Sequence, residues 1–249
     1  MTQEWRLATS RGPVHVWFPS GARPSGVVVY VHGHSNTVDE VWKNHDLPGQ
    51  FAASGRDAVF IAPEAPTARG ESVRWPDLDE LLNTVKQQTG ESTSGPIVAM
   101  GHSAGYATIA NWLGHPRLKQ VSLLDALYGK VEEYGAWAKD GGRLDLVAGD
   151  VRPLENSALL AKQLNALVFD RIPDSLQAYT KQAVLFLKSQ YGHFEIVTSK
   201  KVIPMLLART PIPALGAKTK TQKTLAIVGG GLAGLGITLG AWYLLSDRR

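Results

Sequence analysis

At 249 residues, 44% of them hydrophobic and 19% charged, the chain has room for one sizeable α/β core but not two, and its composition is that of an ordinary globular protein. It contains no cysteine, which excludes disulfides, thiol catalysis and thiolate metal sites. The net charge of +4 is unevenly spread: residues 1–195 carry 18 Lys and Arg against 21 Asp and Glu, whereas residues 196–249 carry 8 against one, so the basic character belongs to the tail and argues against a nucleic-acid-binding main domain.

Residues 4–9 and Val14–Phe18 read as two short strands around the Arg11-Gly12-Pro13 turn. The β-branched run Val27-Val28-Val29-Tyr30-Val31 has the pattern of a strand buried on both faces of a parallel sheet. Further buried strands are expected at 58–62, 97–100, 121–124, 144–148 and 183–187. Helices are expected at 78–88, 106–113, 131–139 and 157–168. Alternating strands and helices specify an α/β fold with a doubly wound, mostly parallel sheet. The expected organisation is a domain over residues 1–210, a Pro/Lys/Thr linker over 211–223 and an apolar helix over 224–246.

That last segment carries no charge from Thr224 to Ser246, and Lys218, Lys220 and Lys223 precede it. About 20 apolar residues suffice for a helix to cross a hydrocarbon core of roughly 30 Å, and Trp242 and Tyr243 stand where interfacial aromatics are favoured. The N-terminus, Met1-Thr2-Gln3-Glu4-Trp5-Arg6, lacks the basic start and apolar run of a signal peptide. The expectation is therefore a single-pass tail anchor with the main domain on the cytoplasmic side, where flanking basic residues are favoured. Gly229, Gly231 and Gly234 match a dinucleotide-binding pattern, but no second strand follows them, so no cofactor is expected. The segment's glycines are read as small residues of a membrane helix, with Gly229, Gly230, Gly234 and Gly240 permitting close packing.

The strand at 97–100 runs into Gly101-His102-Ser103-Ala104-Gly105 and then into a helix, the strand–turn–helix setting that a Gly-x-Ser-x-Gly nucleophile requires. The turn is so tight that side chains at Gly101 and Gly105 would meet neighbouring chain, and it presents Ser103 at the carboxyl edge of the sheet. An oxyanion site is expected from the Ala104 amide, at the start of the helix, together with a second amide from His32-Gly33-His34-Ser35. His34 is favoured there, with Gly33 as the alternative.

These residues, the Gly101–Gly105 motif and a hydrophobic strand ending in His32-Gly33, resemble the α/β-hydrolase superfamily of esterases and lipases over roughly residues 4–208. The resemblance implies a Ser–acid–His order. His193, directly after the strand at 183–187, fits the position of the base. For the acid, the superfamily uses the end of either of two strands, and both positions are filled, by Asp125 and Asp150. Asp125 is favoured because it stands at the tip of the strand beside the nucleophile strand, whereas Asp150 also reads as a turn residue or helix cap.

The expected activity is serine hydrolysis of small-molecule or lipid-like carboxylic esters through an acyl-enzyme, with no metal. No gap between elements holds a lid domain, so an open pocket is expected. Amide hydrolysis or acyl transfer on the same residues is one alternative. A catalytically silent, membrane-tethered binding or scaffold protein is another, though a binding module has no need of Ser103, His193 and two acids.

Overall fold

The computed structural model describes residues 2–19 and 24–217. Its frame is a nine-stranded sheet. β1 (Gln3–Leu7) and β2 (Val14–Phe18) form an antiparallel hairpin whose second strand pairs antiparallel with β4 (Ala58–Pro63). The remaining strands run parallel: β3 (Gly26–Val31), β5 (Ile97–His102), β6 (Leu118–Leu124), β7 (Arg143–Ala148), β8 (Leu167–Phe169) and β9 (Val184–Lys188). Their order across the sheet is β1-β2-β4-β3-β5-β6-β7-β9-β8.

The side-chain period of two explains both faces at once. Val27, Val29 and Val31 of β3 enter one core, with Ile97 and Ala99 of β5, and Val28 and Tyr30 enter the other, with Val98 and Met100. The first core is covered by α3 (Leu78–Thr89), α4 (Tyr106–Ala110), α5 (Val131–Lys139) and α6 (Val151–Gln163) through residues such as Leu81, Ile109, Tyr134 and Leu160. The second is covered by α1 (Val38–Asn44), α2 (Leu47–Ser54), α7 (Glu195–Thr198) and α8 (Val202–Ala208) through Trp42, Phe51, Ile196 and Leu206. With helices on both faces and parallel strands buried throughout, the sheet is doubly wound as the sequence pattern specifies.

Three differences from the expected elements stand out. The helix expected over 157–168 starts earlier and stops earlier, at Val151–Gln163, and residues 167–169 instead form the edge strand β8. Asn165, with φ of 49°, turns the chain out of the helix in the left-handed conformation that Asn tolerates. Helices α1 and α2 fill a stretch with no element assigned from sequence, and Thr37 and Glu40 form a reciprocal capping box that starts the first of them. Helices α7 and α8 likewise come from unassigned sequence.

The compact unit containing the sheet runs Met1–Leu215. At its end, Ile212 is buried and Pro213 O accepts a bond from the Asp57 amide at 3.0 Å. The apolar segment 224–246 and linker residues 218–223 lie outside the described residues. Among the described residues no helix is long and apolar enough to cross a membrane.

Strand β3 is followed in the chain by its neighbour on one side, β4, and then by its neighbour on the other, β5. The winding order of the strands therefore reverses between β3 and β5, the point in such sheets where ligands bind at the carboxyl ends of the strands. His32–Ser35 leaves β3 there, and Ser103 leaves β5.

Candidate active site

Ser103 follows His102, the last residue of β5, and opens the three-residue turn Ser103–Gly105 ahead of α4. Its φ is 52°, a left-handed backbone that costs a non-glycine residue about 1–3 kcal/mol and persists only where its surroundings impose it. The surroundings do so through close approach. A Cβ on Gly105 would lie 2.5 Å from Val31 O, and one on Gly33 would lie 2.5 Å from the Ser103 Cβ. Gly33 thus lets the loop after β3 lie directly against the serine, so the expected oxyanion loop and the expected nucleophile are neighbours.

The orientation of that loop has a visible cause. His32 Nδ1 lies 2.8 Å from Gly33 O, and since a carbonyl only accepts, Nδ1 carries the proton and donates it. The carbonyl and the following N–H of a trans peptide point in opposite directions. Holding Gly33 O toward the His32 ring therefore turns the His34 amide away from it. The ring is anchored on its far side, where Nε2 meets Glu64 at 2.8 Å and the Ala65 amide at 2.9 Å, all in the interior. The Ser35 amide donates to Thr67 O at 2.7 Å and fixes the next peptide.

His193 stands in the loop between β9 and α7, and its Nδ1 lies 2.6 Å from Asp125 Oδ2. Asp125 follows β6, is fully buried and has φ of 48°. Its other oxygen, Oδ1, accepts from the amides of Gly149 at 2.8 Å and Asp150 at 3.1 Å. Burial works to raise the Asp125 carboxyl, but the His193 hydrogen bond and the two amides outweigh it and hold the carboxyl below its ordinary range. With Nδ1–H given to a carboxylate, Nε2 is left with its lone pair, the form a general base needs.

His102 ties the two halves together. Its Nε2 donates to His193 O at 3.1 Å, and the two rings lie 4.6 Å apart. Burial, with the neighbouring His193 and His45, pushes the His102 imidazole down to about 3, so the ring is a neutral donor. From sequence His102 is only the variable residue of the serine motif; a polar residue at the tip of a strand buried on both faces is the signal for a bonded role.

The structure brings several of the expected residues together. Gly33 and Ser103 lie against each other at the carboxyl ends of β3 and β5. Asp125 and His193 are paired, and the His193 main chain is bonded to the residue preceding Ser103. Asp150 also reaches the imidazole, with its Oδ2 3.3 Å from His193 Nδ1. Asp125, Asp150 and His193 each offer one donor atom within 4.8 Å of the others, a spacing that could hold a metal ion. His193 Nδ1 is hydrogen-bonded to Asp125 Oδ2, Asp125 Oδ1 accepts from two main-chain amides, and Asp150 Oδ2 accepts from the Tyr128 hydroxyl. Phe194 and Val151, the chain neighbours of His193 and Asp150, are both exposed.

No protein-family model and no curated protein matches the chain. Solved structures do. An S-formylglutathione hydrolase from Staphylococcus aureus is 11% identical, with a TM-score of 0.58 over 84% of this chain and 96% of that one. A thermostable carboxylesterase cloned from a metagenomic library is 16% identical, with a TM-score of 0.55 over 84% and 87%. A dienelactone hydrolase from Anabaena variabilis is 14% identical, with a TM-score of 0.54 over 83% and 95%. The strand order, the reversal between β3 and β5 and these neighbours together establish that the chain has the α/β-hydrolase fold.

Proposed function

We propose that the chain is a serine hydrolase of carboxylic esters working through an acyl-enzyme. The observation that carries this reading is Ser103 on a left-handed backbone at the sheet edge, with the Gly33 loop against it and the His193–Asp125 pair tied to it through His102. In the forward step His193 Nε2 takes the Ser103 hydroxyl proton while Oγ bonds to the acyl carbon. The carbonyl electrons move to oxygen, and the oxyanion is held by the Ala104 and His34 amides. The His32 bond to Gly33 O supports His34, rather than Gly33, as the second donor. Collapse breaks the ester C–O bond, and the alcohol leaves with the proton from His193. Water then repeats the sequence on the acyl-enzyme and releases the acid. Asp125 keeps the imidazole in the Nδ1–H tautomer and balances its transient charge. Two of the structural neighbours, the carboxylesterase and the dienelactone hydrolase, carry names of ester-cleaving enzymes, which favours an ester over an amide substrate.

A fluorophosphonate probe tests the reading directly. The full chain becomes covalently labelled, with the adduct mapping to Ser103, and hydrolyses acyl esters in a chain-length panel. Labelling elsewhere, or none with folded protein, overturns it. The apolar segment 224–246 in this reading anchors the hydrolase to a membrane with its catalytic domain on the cytoplasmic side. Deleting residues 224–249 releases it to the soluble fraction with activity retained. Digestion of the catalytic domain by protease added outside sealed cells would overturn the orientation.

A further inference from the structure

Asp150 is placed in a way that helix formation alone does not explain. It occupies the N-cap of α6 with extended backbone angles, and Asp is among the residues that cap best, yet its side chain makes no capping bond. Instead Oδ2 lies 3.3 Å from His193 Nδ1 and 3.3 Å from the Tyr128 hydroxyl, which donates to it. Its own main-chain amide is bonded to Asp125 Oδ1, so the two carboxylates are locked to each other through one peptide. Asp125 is sealed from solvent, whereas the Asp150 side chain is 49% exposed.

We infer that Asp150 is a second carboxylate brace on the His193 imidazole, a positioning residue that stands within ion-pair distance of Nδ1 beside the Asp125 hydrogen bond and adds a second negative charge to the protonated ring. The inference rests on the serine-hydrolase reading above. Its physical content is a division of labour. Asp125, buried and held by two amides, fixes the ring's direction. Asp150, half in water, steadies the imidazolium that forms each time Ser103 gives up its proton, and it can take over the Nδ1–H bond when the ring rocks between attack and proton return. Tyr128 keeps the Asp150 carboxylate turned inward. Burial, followed by the charges of Asp125 and Asp150, raises the Tyr128 hydroxyl above its ordinary range, so it stays a donor.

The groups facing His193 come from four elements. Asp125 and Tyr128 face it from the loop after β6, Asp150 from the start of α6, neutral His102 from the end of β5, and Phe194 from its own loop. Only the two aspartates carry charge, so the sign of the effect is fixed. Removing Asp150's charge disfavours the protonated ring, which must lose its proton before the enzyme can act.

The experiment is the pH profile of kcat/KM for Asp150→Asn in the full chain. Asn is as good an N-cap as Asp, so α6 keeps its start. The acid limb moves to lower pH by about half a unit or more, the size expected for one partly solvated charge at this distance. An acid limb that stays in place overturns the inference. A double-mutant cycle with Asp125→Asn gives the second reading. Asn at 125 can still accept from the Gly149 and Asp150 amides. With Asp150 present, Asp125→Asn loses less than the ~10⁴-fold seen where a single acid orients the histidine. Adding Asp150→Asn to it costs at least about tenfold more than the same change in the parent chain, and simple additivity overturns the brace. Fluorophosphonate labelling of the parent chain separates the two levels. A chain that hydrolyses esters and labels at Ser103 but shows neither effect refutes the brace alone, and a chain that does not label refutes the hydrolase reading.

Discussion

Two buried acid–base clusters sit on the same pair of strands, and they are built to opposite specifications. In the lower half of β7, Asp145 receives Gln120 Nε2 and Ser122 Oγ from β6 on one oxygen, both at 2.8 Å, and the Arg209 guanidinium on the other. Arg209 also donates to Gln182 O, and both charged side chains are fully shielded from water. Past the upper ends of the same strands, Asp125 is equally buried, but the imidazole it holds is 19% exposed and a second, half-exposed carboxylate shares it. The first cluster gives both Asp145 oxygens a donor and closes off its charge. The second leaves one nitrogen free and surrounds it with more negative charge than pairing requires. An ion pair that only joins elements has no use for a spare lone pair, whereas a proton-transfer site cannot work without one.

The contrast can be broken from either side. The largest effect comes at the open cluster. Ser103→Ala lowers kcat/KM by at least ~10³-fold while leaving the thermal midpoint nearly unchanged, since the side chain lies at the sheet edge. Residual activity above a thousandth sinks the nucleophile assignment. At the closed cluster the readout reverses. Arg209→Leu destabilises the fold by ~3–5 kcal/mol in urea unfolding by stranding the Asp145 charge, and adding Asp145→Leu recovers part of the loss. A single Arg209→Leu variant as stable as the parent would mean the pair is not sealed.

Gly33→Ala sharpens the comparison by stressing the open site without touching a charge. Its methyl would sit 2.5 Å from the Ser103 Cβ, so the oxyanion loop must shift. The expected cost is about 10²-fold in kcat, as for the loss of one oxyanion donor, with little change in unfolding. The smallest effect belongs to the surface. Arg6 first, then His15, hold the Asp39 carboxyl down to about 2 against the cost of its partial burial. A depressed acid contributes stability that is fully present above its ordinary value of 3.8 and is lost as pH falls through about 2. Asp39→Asn therefore flattens the melting temperature between those values. The change is below ~1 kcal/mol because the pair is half exposed.

The legibility of this molecule follows burial. Strands shielded on both faces, such as Gly26–Val31 and Ala58–Pro63, declare themselves as unbroken apolar runs, and the serine motif is readable because one of them leads into it. Strand β8 is hidden because its three residues continue the apolar spacing of α6 through Leu160 and Leu164, and the one break, Asn165, is a single residue. The capping box at Thr37 and Glu40 was a local signal for α1 that strand-first reading passes over. The choice of acid is harder in kind. Asp125 and Asp150 both follow strands, and which of them meets His193 depends on Asp125's left-handed backbone and on two amides from the loop after β7, neither of which has a sequence pattern. Asp125, the acid favoured from sequence, makes the hydrogen bond to the ring, and Asp150 stands 3.3 Å from the same nitrogen.

The place of β9 in the sheet bears on how the chain is made. β8 precedes it in sequence but pairs with nothing else, because β9 inserts between β7 and β8. As the chain leaves the ribosome, Ser103 and both aspartates emerge on strands that already have partners, while β8 waits for the next strand to seat it. The strand that seats β8 is also the one that delivers His193. Filling of the sheet's last gap and arrival of His193 are thus one event. A nascent or truncated chain ending before residue 184 carries Ser103 without His193, and under the mechanism proposed above it is inactive until the fold is closed.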